Sequence, residues 1–99
     1  MNIVWTEQAF QRLVAIEDHV AADDPRAAVL LVDKIVARTQ TLARFPSMGR
    51  RIPEIPGSAL REVVEGSYRI VYRVVADTVE VLTVFEGHRL LRPGEIERK

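Results

Sequence analysis

Two arginines lie four positions apart in the most β-prone stretch of the chain, GSYRIVYRV at residues 66–74. Side chains on a strand alternate between the two faces of a sheet, so Arg69 and Arg73 are predicted to share one face. Their guanidinium groups could stabilise phosphate charge in catalysis or bind the carboxylates of a partner. They could also pair with acids on adjacent strands, such as Glu62 or Glu80. The alternation predicts the shared face and leaves these three roles open.

Further candidate groups lie in the neighbouring strands. Arg61 would join the same cluster if the odd-numbered positions of its strand share that face, which depends on the strand register. His88, between Gly87 and Arg89, could serve as a general base, although a lone exposed histidine near a strand end usually has no such role. Both interpretations therefore depend on where the strands place these side chains.

The composition excludes several kinds of site and location. With no cysteine and two histidines among 99 residues, disulfides and thiolate zinc sites are excluded, and we expect no metal and no cofactor. The longest wholly apolar run, AAVLLV at 27–32, is far shorter than the roughly 20 residues that span a bilayer. The start of the chain lacks the layout of a signal peptide. We therefore expect a cytoplasmic protein without membrane contact.

Charge is balanced overall but unevenly distributed along the chain. The formal net charge is zero, yet residues 38–73 contain seven arginines and three glutamates, and residues 1–37 contain six acids and three bases. Arginine is suited to bidentate contacts with carboxylates or phosphates, so the middle third is the predicted contact surface. The whole domain lacks the strong basicity of proteins that bind nucleic acid by its phosphates. No direct sequence-specific contact with nucleic acid is predicted.

The elements that position these residues follow from hydrophobic spacing and from stop signals. A first strand is predicted at 2–5, followed by two amphipathic helices that begin after the caps Thr6 and Asp24. The second helix should end near Arg44–Phe45, because a proline follows. The next thirteen residues, 46–58, contain three prolines and two glycines and are predicted to be an irregular loop. Three strands with short links come next, at 60–65, 68–75 and 78–85.

This order, β-α-α-β-β-β, predicts the α+β fold class. The helices form a hairpin that must bury its apolar stripes on one face of an antiparallel sheet. The first strand is expected in the same sheet, but its partner strand does not follow from the sequence.

Five stretches of the chain together resemble the RelE/ParE superfamily of bacterial type II toxins. They are VWTEQAFQRL, DDPRAAVLLVDKI, FPSMGRRIPE, REVVEGSYRIVYRV and VEVLTVFEGHRLL, and the likeness covers about residues 3–91. The combination of Phe-Pro-x-x-Gly-Arg with Tyr-Arg-Ile-Val-Tyr is its most specific part. The resemblance implies a single toxin domain at 1–91, with a polar tail at 92–99. The implied fold, a small antiparallel sheet packed against a helical hairpin, agrees with the predicted order.

The resemblance also implies one of two activities. RelE-like members are ribosome-dependent endoribonucleases that cut mRNA without a metal, and ParE-like members poison DNA gyrase. Both kinds are silenced by an antitoxin whose C-terminal segment wraps the toxin. By position, Arg69 and Arg89 match arginines of the nucleases, and Glu54 resembles part of their acid–base region.

The chain departs from the nucleases at the groups that move protons. Where those enzymes have a lysine pair or a Glu–Arg arrangement, this chain has Arg61 beside Glu62, and no tyrosine follows Arg89. The usual family histidine falls at Glu86, so His88 is displaced by two positions. Cleavage by 2′-hydroxyl attack needs a general base and a general acid. Arginines move protons poorly, because guanidinium does not deprotonate in proteins.

These departures favour a non-enzymatic, ParE-like toxin that arrests growth by poisoning gyrase and forms a hetero-oligomer with its antitoxin. The residues predicted to bind the partner are Arg61, Arg69, Arg73 and Arg89. One alternative is a metal-independent mRNA endonuclease with the catalytic set Arg69, Arg89 and Arg61, and with Glu54 or His88 as the base. Another is a toxin that has lost its activity and retains only antitoxin binding.

Overall fold

The computed structural model of the chain describes residues 1–87, and its helices and longer strands follow the predicted order. The elements are β1 (Asn2–Trp5), α1 (Glu7–Ala21), α2 (Pro25–Thr41), β2 (Arg50–Arg51), β3 (Arg61–Glu65), β4 (Tyr68–Val75) and β5 (Thr78–Glu86). The α+β class is confirmed. Neither helix of the described residues has the length and apolar character that crossing a bilayer requires.

Both helices begin at the predicted caps. The Thr6 hydroxyl accepts a hydrogen bond from the Ala9 amide at 3.1 Å. The Asp24 carboxylate accepts from the amides of Arg26 and Ala27 at 3.1 and 3.2 Å. These side chains satisfy amides that have no partner within the first turn of a helix. The start of each helix is therefore encoded locally.

The second helix ends earlier than predicted. Helix α2 stops at Thr41, and the amides of Leu42, Ala43 and Arg44 donate to carbonyls three residues back. Such bonds form tighter turns than those of an α-helix. The chain thus leaves the helix through a tight turn several residues before Pro46.

The sheet has the strand order β1-β5-β4-β3-β2, with β3, β4 and β5 forming the predicted antiparallel meander. Strand β1 pairs parallel to β5, so the sheet is mixed and the expectation of a wholly antiparallel sheet is corrected. Parallel strands need a long crossover connection, and the two helices after β1 belong to such a connection. Strand β2, which pairs with β3, lies inside the segment predicted to be irregular.

The two faces of the sheet carry different layers. On one face, both helices pack on β3, β4 and β5 in the main core, which includes Leu13, Ile35, Ile70, Tyr72 and Val81. On the other face, a smaller cluster of Ile52, Val71 and Phe85 lies beneath the segment that contains Ile55 and Leu60. The predicted alternation along β4 is confirmed, because Ile70 and Tyr72 face the helices and Val71 faces away from them. Residues 46–60, which we call the clamp loop, therefore cover part of the second face.

Candidate functional site

Arg69 lies buried between the sheet and the clamp loop, with 5% of its surface exposed. Its Nε donates to Glu62 Oε1 at 2.6 Å. Its Nη1 and Nη2 donate to the two carboxylate oxygens of Glu54 at 2.5 and 2.8 Å. The guanidinium carbon also lies 4.9 Å from the centre of the Phe85 ring, within the range of a cation–π contact. The charge of Arg69 is thus enclosed by two carboxylates and an aromatic ring.

The strand register and the clamp loop together build this cluster. Pairing of β3 with β4 places Glu62 opposite Val71, on the same face as Arg69. Glu54 comes from the loop. The other oxygen of Glu62 accepts from Arg50 Nε at 2.6 Å, so Glu62 bridges a buried and an exposed arginine. Two arginines and two glutamates balance in charge, as burial of ionised groups requires.

The hydrogen bonds that Arg69 donates to Glu54 raise the pKa of the Arg69 guanidinium above its ordinary value, against the opposing effect of burial. Arg69 therefore remains a permanent cation and cannot supply or accept a catalytic proton. Both Glu54 oxygens accept from Arg69, so this carboxylate is an ion-pair partner in the described structure. The proximity of Glu54 to Arg69 could not be predicted from the sequence, because the residues of the loop do not determine the path that the loop takes.

Arg73 also pairs with an acid on the neighbouring strand. Its Nε donates to Glu80 Oε1 at 2.6 Å, across β4 and β5. Pairing with adjacent acids was one of the roles left open for both arginines, and the acids proposed for it, Glu62 and Glu80, are among those observed. Partner binding by Arg69 and Arg73 stays a prediction.

Arg61 lies on the opposite face of the sheet. It stands directly across from Tyr72, which faces the helices, whereas Glu62 stands across from Val71. The condition for Arg61 to join Arg69 and Arg73 is therefore not met, since the register places it on the other side. Its Nη1 donates instead to the carbonyl oxygens of Gly49 at 2.7 Å and of Ser47 at 3.3 Å.

Tyr72 anchors the clamp loop from within the main core. The fully buried side chain donates its hydroxyl to the Pro46 carbonyl at 2.7 Å and accepts from the Gly49 amide at 3.0 Å. Burial raises the pKa of this phenol, while the Gly49 amide and Arg61 oppose the shift. No role was predicted for Tyr72, although it is the second tyrosine of the Tyr-Arg-Ile-Val-Tyr motif.

Gly49 is required where Tyr72 meets the loop. A Cβ atom there would lie 2.5 Å from the Glu62 carbonyl oxygen and 2.7 Å from the Tyr72 hydroxyl. The glycine of Phe-Pro-x-x-Gly-Arg thus packs against the second tyrosine of Tyr-Arg-Ile-Val-Tyr. In this chain the two motifs therefore form one physical contact.

The remaining predicted site residues, His88 and Arg89, lie outside the described residues. Within residues 1–87, the alternative catalytic set is divided between two faces, with Glu54 and Arg69 on one and Arg61 on the other. Of that set, the structure brings Glu54 and Arg69 into contact, and they form an ion pair.

Fold and site together define a small α+β domain in which a tyrosine-anchored loop covers part of the sheet. Residues 3–91 match the family model described as the ParE toxin of type II toxin–antitoxin systems, parDE. The chain is also 38% identical over 92 residues to "Putative toxin Y4kP" of Sinorhizobium fredii, covering 89% of this chain and 90% of that protein. The chain belongs to the ParE toxin family of type II toxin–antitoxin systems.

Two solved structures are similar in fold. The chromosomal ParDE toxin–antitoxin system from P. aeruginosa gives a TM-score of 0.72 at 25% identity, covering 87% of this chain and 95% of that chain. The RelBE2 toxin–antitoxin complex from Mycobacterium tuberculosis gives a TM-score of 0.62 at 21% identity, covering 86% and 95%. The resemblance to the RelE/ParE superfamily, with its implied fold, is confirmed.

Proposed function

We propose that this toxin arrests growth by inhibiting DNA gyrase and that a cognate antitoxin neutralises it. The observation that carries the proposal is the enclosure of Arg69. The resemblance gives this arginine a phosphate-stabilising role in the nuclease branch, but here its side chain is 6% exposed between Glu54 and Glu62. A phosphate could reach it only by displacing carboxylates that are already hydrogen-bonded, at a large desolvation cost.

Arg61 supports the same proposal. It lies on the opposite face of the sheet from Arg69, so both cannot contact one scissile phosphate. Charge stabilisation and proton transfer need groups that converge on the reacting atoms. The described residues lack such convergence, which favours a toxin that acts by binding a protein.

An antitoxin partner is supported by the family and by the similar structures, which are the ParDE toxin–antitoxin system and the RelBE2 toxin–antitoxin complex. We propose that this toxin likewise forms a hetero-oligomer with an antitoxin. Expression together with the product of the adjacent reading frame should restore growth and yield a complex of the two chains. Arrest that persists beside a well-expressed neighbour would contradict this part of the proposal.

Primer extension on translated messages separates gyrase inhibition from the nuclease alternative. After induction of the chain, we expect growth to stop. The reverse-transcription pattern of translated messages should be the same as in control cells that carry the toxin gene with an early stop codon. Discrete new ends within codons at the ribosomal A site would overturn the proposal and assign the chain to the RelE-like nucleases.

A further inference from the structure

A second basic region lies outside the Arg69 cluster. Residues 34–53 contain five basic residues and no acid, a run that extends from the second half of α2 through the first half of the clamp loop. Arg38, Arg44, Arg50 and Arg51 in this run are exposed. Four of the seven arginines of the middle third therefore lie in the segment that runs from α2 into the clamp loop.

Arg51 of this region lies beside a further arginine on the adjacent strand. Arg51 on β2 stands directly opposite Arg61 on β3. Like charges in this position are destabilising. Arg51 donates to the Ser58 carbonyl at 3.2 Å and Arg61 to the Gly49 carbonyl at 2.7 Å, and neither forms a salt bridge with an acid of residues 1–87. By contrast, Arg69 and Arg73 each have a carboxylate partner. An external carboxylate would relieve this repulsion.

Exposed apolar side chains adjoin these charges. Phe45 is 54% exposed and Met48 is 44% exposed, and the guanidinium carbon of Arg44 lies 5.6 Å from the centre of the Phe45 ring. The Met48 amide donates to the Phe45 carbonyl at 3.0 Å, which closes a turn between them. Tyr72 holds the next residues through its hydroxyl. The surface is thus preorganised, which lowers the ordering cost of binding.

We propose that these residues form an interaction surface for an acidic peptide segment that also carries apolar side chains. The surface, called the basic loop surface below, consists of Arg44, Phe45, Met48, Arg51 and Arg61. Carboxylates of the segment would pair with the arginines, and its apolar side chains would cover Phe45 and Met48. If the proposed function holds, on which this identification rests, the segment is the C-terminal part of the antitoxin.

A protein segment fits this surface better than a nucleic acid. The chain as a whole has a formal net charge of zero, whereas nucleic-acid binding by phosphate contacts favours strong basicity. Phe45 and Met48 together form an apolar anchor of the kind that fills the centre of protein interfaces. Single-strand binders rely on several aromatic rings for successive bases, and Phe45 is the one aromatic side chain in residues 34–53.

Fluorescence anisotropy with a labelled synthetic peptide tests the chemistry of the surface. The probe alternates glutamate with leucine and phenylalanine, and its control has glutamine in place of glutamate. We expect the acidic probe to bind the full chain, and Arg44→Glu with Arg51→Glu to weaken binding by at least about tenfold. Arg26→Glu, which reverses an exposed charge on α2, should leave the affinity within about twofold. Circular dichroism melting verifies that each variant is folded.

The apolar part is tested with a matched pair. Phe45→Ser should weaken binding of the acidic probe, and Val29→Ser, at a residue 55% exposed on α2, should not. Equal effects of the two serine variants, or equal affinity for the acidic and glutamine probes, would overturn the proposal. A single-stranded oligonucleotide of equal charge that binds more tightly than the peptide would instead assign the surface to nucleic acid.

The product of the adjacent reading frame separates this inference from the proposed function. If it binds the wild-type chain and the Arg44→Glu, Arg51→Glu variant equally, the basic loop surface is overturned as the antitoxin site, while the antitoxin partnership stands. If it fails to bind the wild-type chain but the peptide still depends on these arginines, the partnership fails and the surface stands. We expect binding to the wild-type chain and a loss of at least about tenfold in the variant.

Discussion

Arg69 and Arg73 have the same side chain on the same strand, but their surroundings differ in burial. The Arg69 side chain is 6% exposed and contacts Glu54 and Glu62, whereas the Arg73 side chain is 25% exposed and contacts Glu80. Removing one partner of a buried ion pair leaves an uncompensated charge in the interior. At a more exposed pair, water compensates for much of that loss.

Arg69→Ala should therefore lower the free energy of unfolding by about 3–5 kcal/mol, because it removes a partner of both Glu54 and the fully buried Glu62. Arg73→Ala should cost about 1 kcal/mol or less. Urea denaturation of the two variants beside the wild type measures both values. Equal losses in the two variants would show that Arg69 is not enclosed as described.

Stability at alkaline pH should depend on Tyr72. Burial raises the pKa of its phenol above the ordinary value, so the fold favours the neutral form. Its contribution is fully present below about pH 10, the unfolded value, and is lost as the pH rises through the folded pKa. The free energy of unfolding should therefore fall above about pH 10 in urea titrations.

Tyr72→Phe should make that alkaline decline shallower, because the titrating group is gone. Burial, together with Glu86, also raises the pKa of Tyr68, so part of the decline should remain until Tyr68→Phe is added. An unchanged pH dependence in the double variant would contradict the assignment.

The clamp loop depends on residues of the neighbouring strands. The Tyr72 hydroxyl forms hydrogen bonds with Pro46 and Gly49. Arg61 donates a hydrogen bond to Ser47, and Arg69 donates one to Glu54. These bonds join residues 14 to 26 positions apart in sequence. A loop of this composition is therefore ordered by tertiary contacts that its own sequence does not encode.

Gly49→Ala should destabilise the fold by about 1–3 kcal/mol, the usual cost of overpacking a well-packed site. The added methyl group would collide with the Glu62 carbonyl and the Tyr72 hydroxyl. Thermal or urea unfolding measures the loss. Ser47→Ala is the matched control in the same loop, since Ser47 is exposed and contributes its carbonyl to Arg61. Similar unfolding of both variants would mean that the loop does not meet Tyr72 closely.

Features set by local sequence could be predicted, and features set by distant contacts could not. The caps Thr6 and Asp24 satisfy amides two or three residues away, so their side chains determine where the helices begin. Strand β2 is two residues long and forms by pairing with β3, which leaves no periodic signal. The faces of Arg61 and Glu62 depend on register, and the position of Glu54 depends on the path of the loop.

For the whole molecule, ion pairing changes the meaning of the charge pattern. Residues 38–73 contain seven arginines, but Arg50, Arg69 and Arg73 pair with carboxylates. Among the acids of residues 1–87, no salt-bridge partner is found for the other four, Arg38, Arg44, Arg51 and Arg61. Three of these, Arg44, Arg51 and Arg61, belong to the basic loop surface that we propose. Counting charges along the sequence therefore identifies a basic region, and the fold determines which of its arginines already pair with carboxylates of the chain.

Supercoiling of relaxed plasmid by purified DNA gyrase tests the central proposal most directly. With ATP present, the wild-type chain should inhibit supercoiling in a dose-dependent manner, and premixing it with the adjacent frame's product should restore supercoiling. If gyrase supercoils the plasmid at its full rate although the folded chain is present in molar excess over gyrase, the proposal is contradicted.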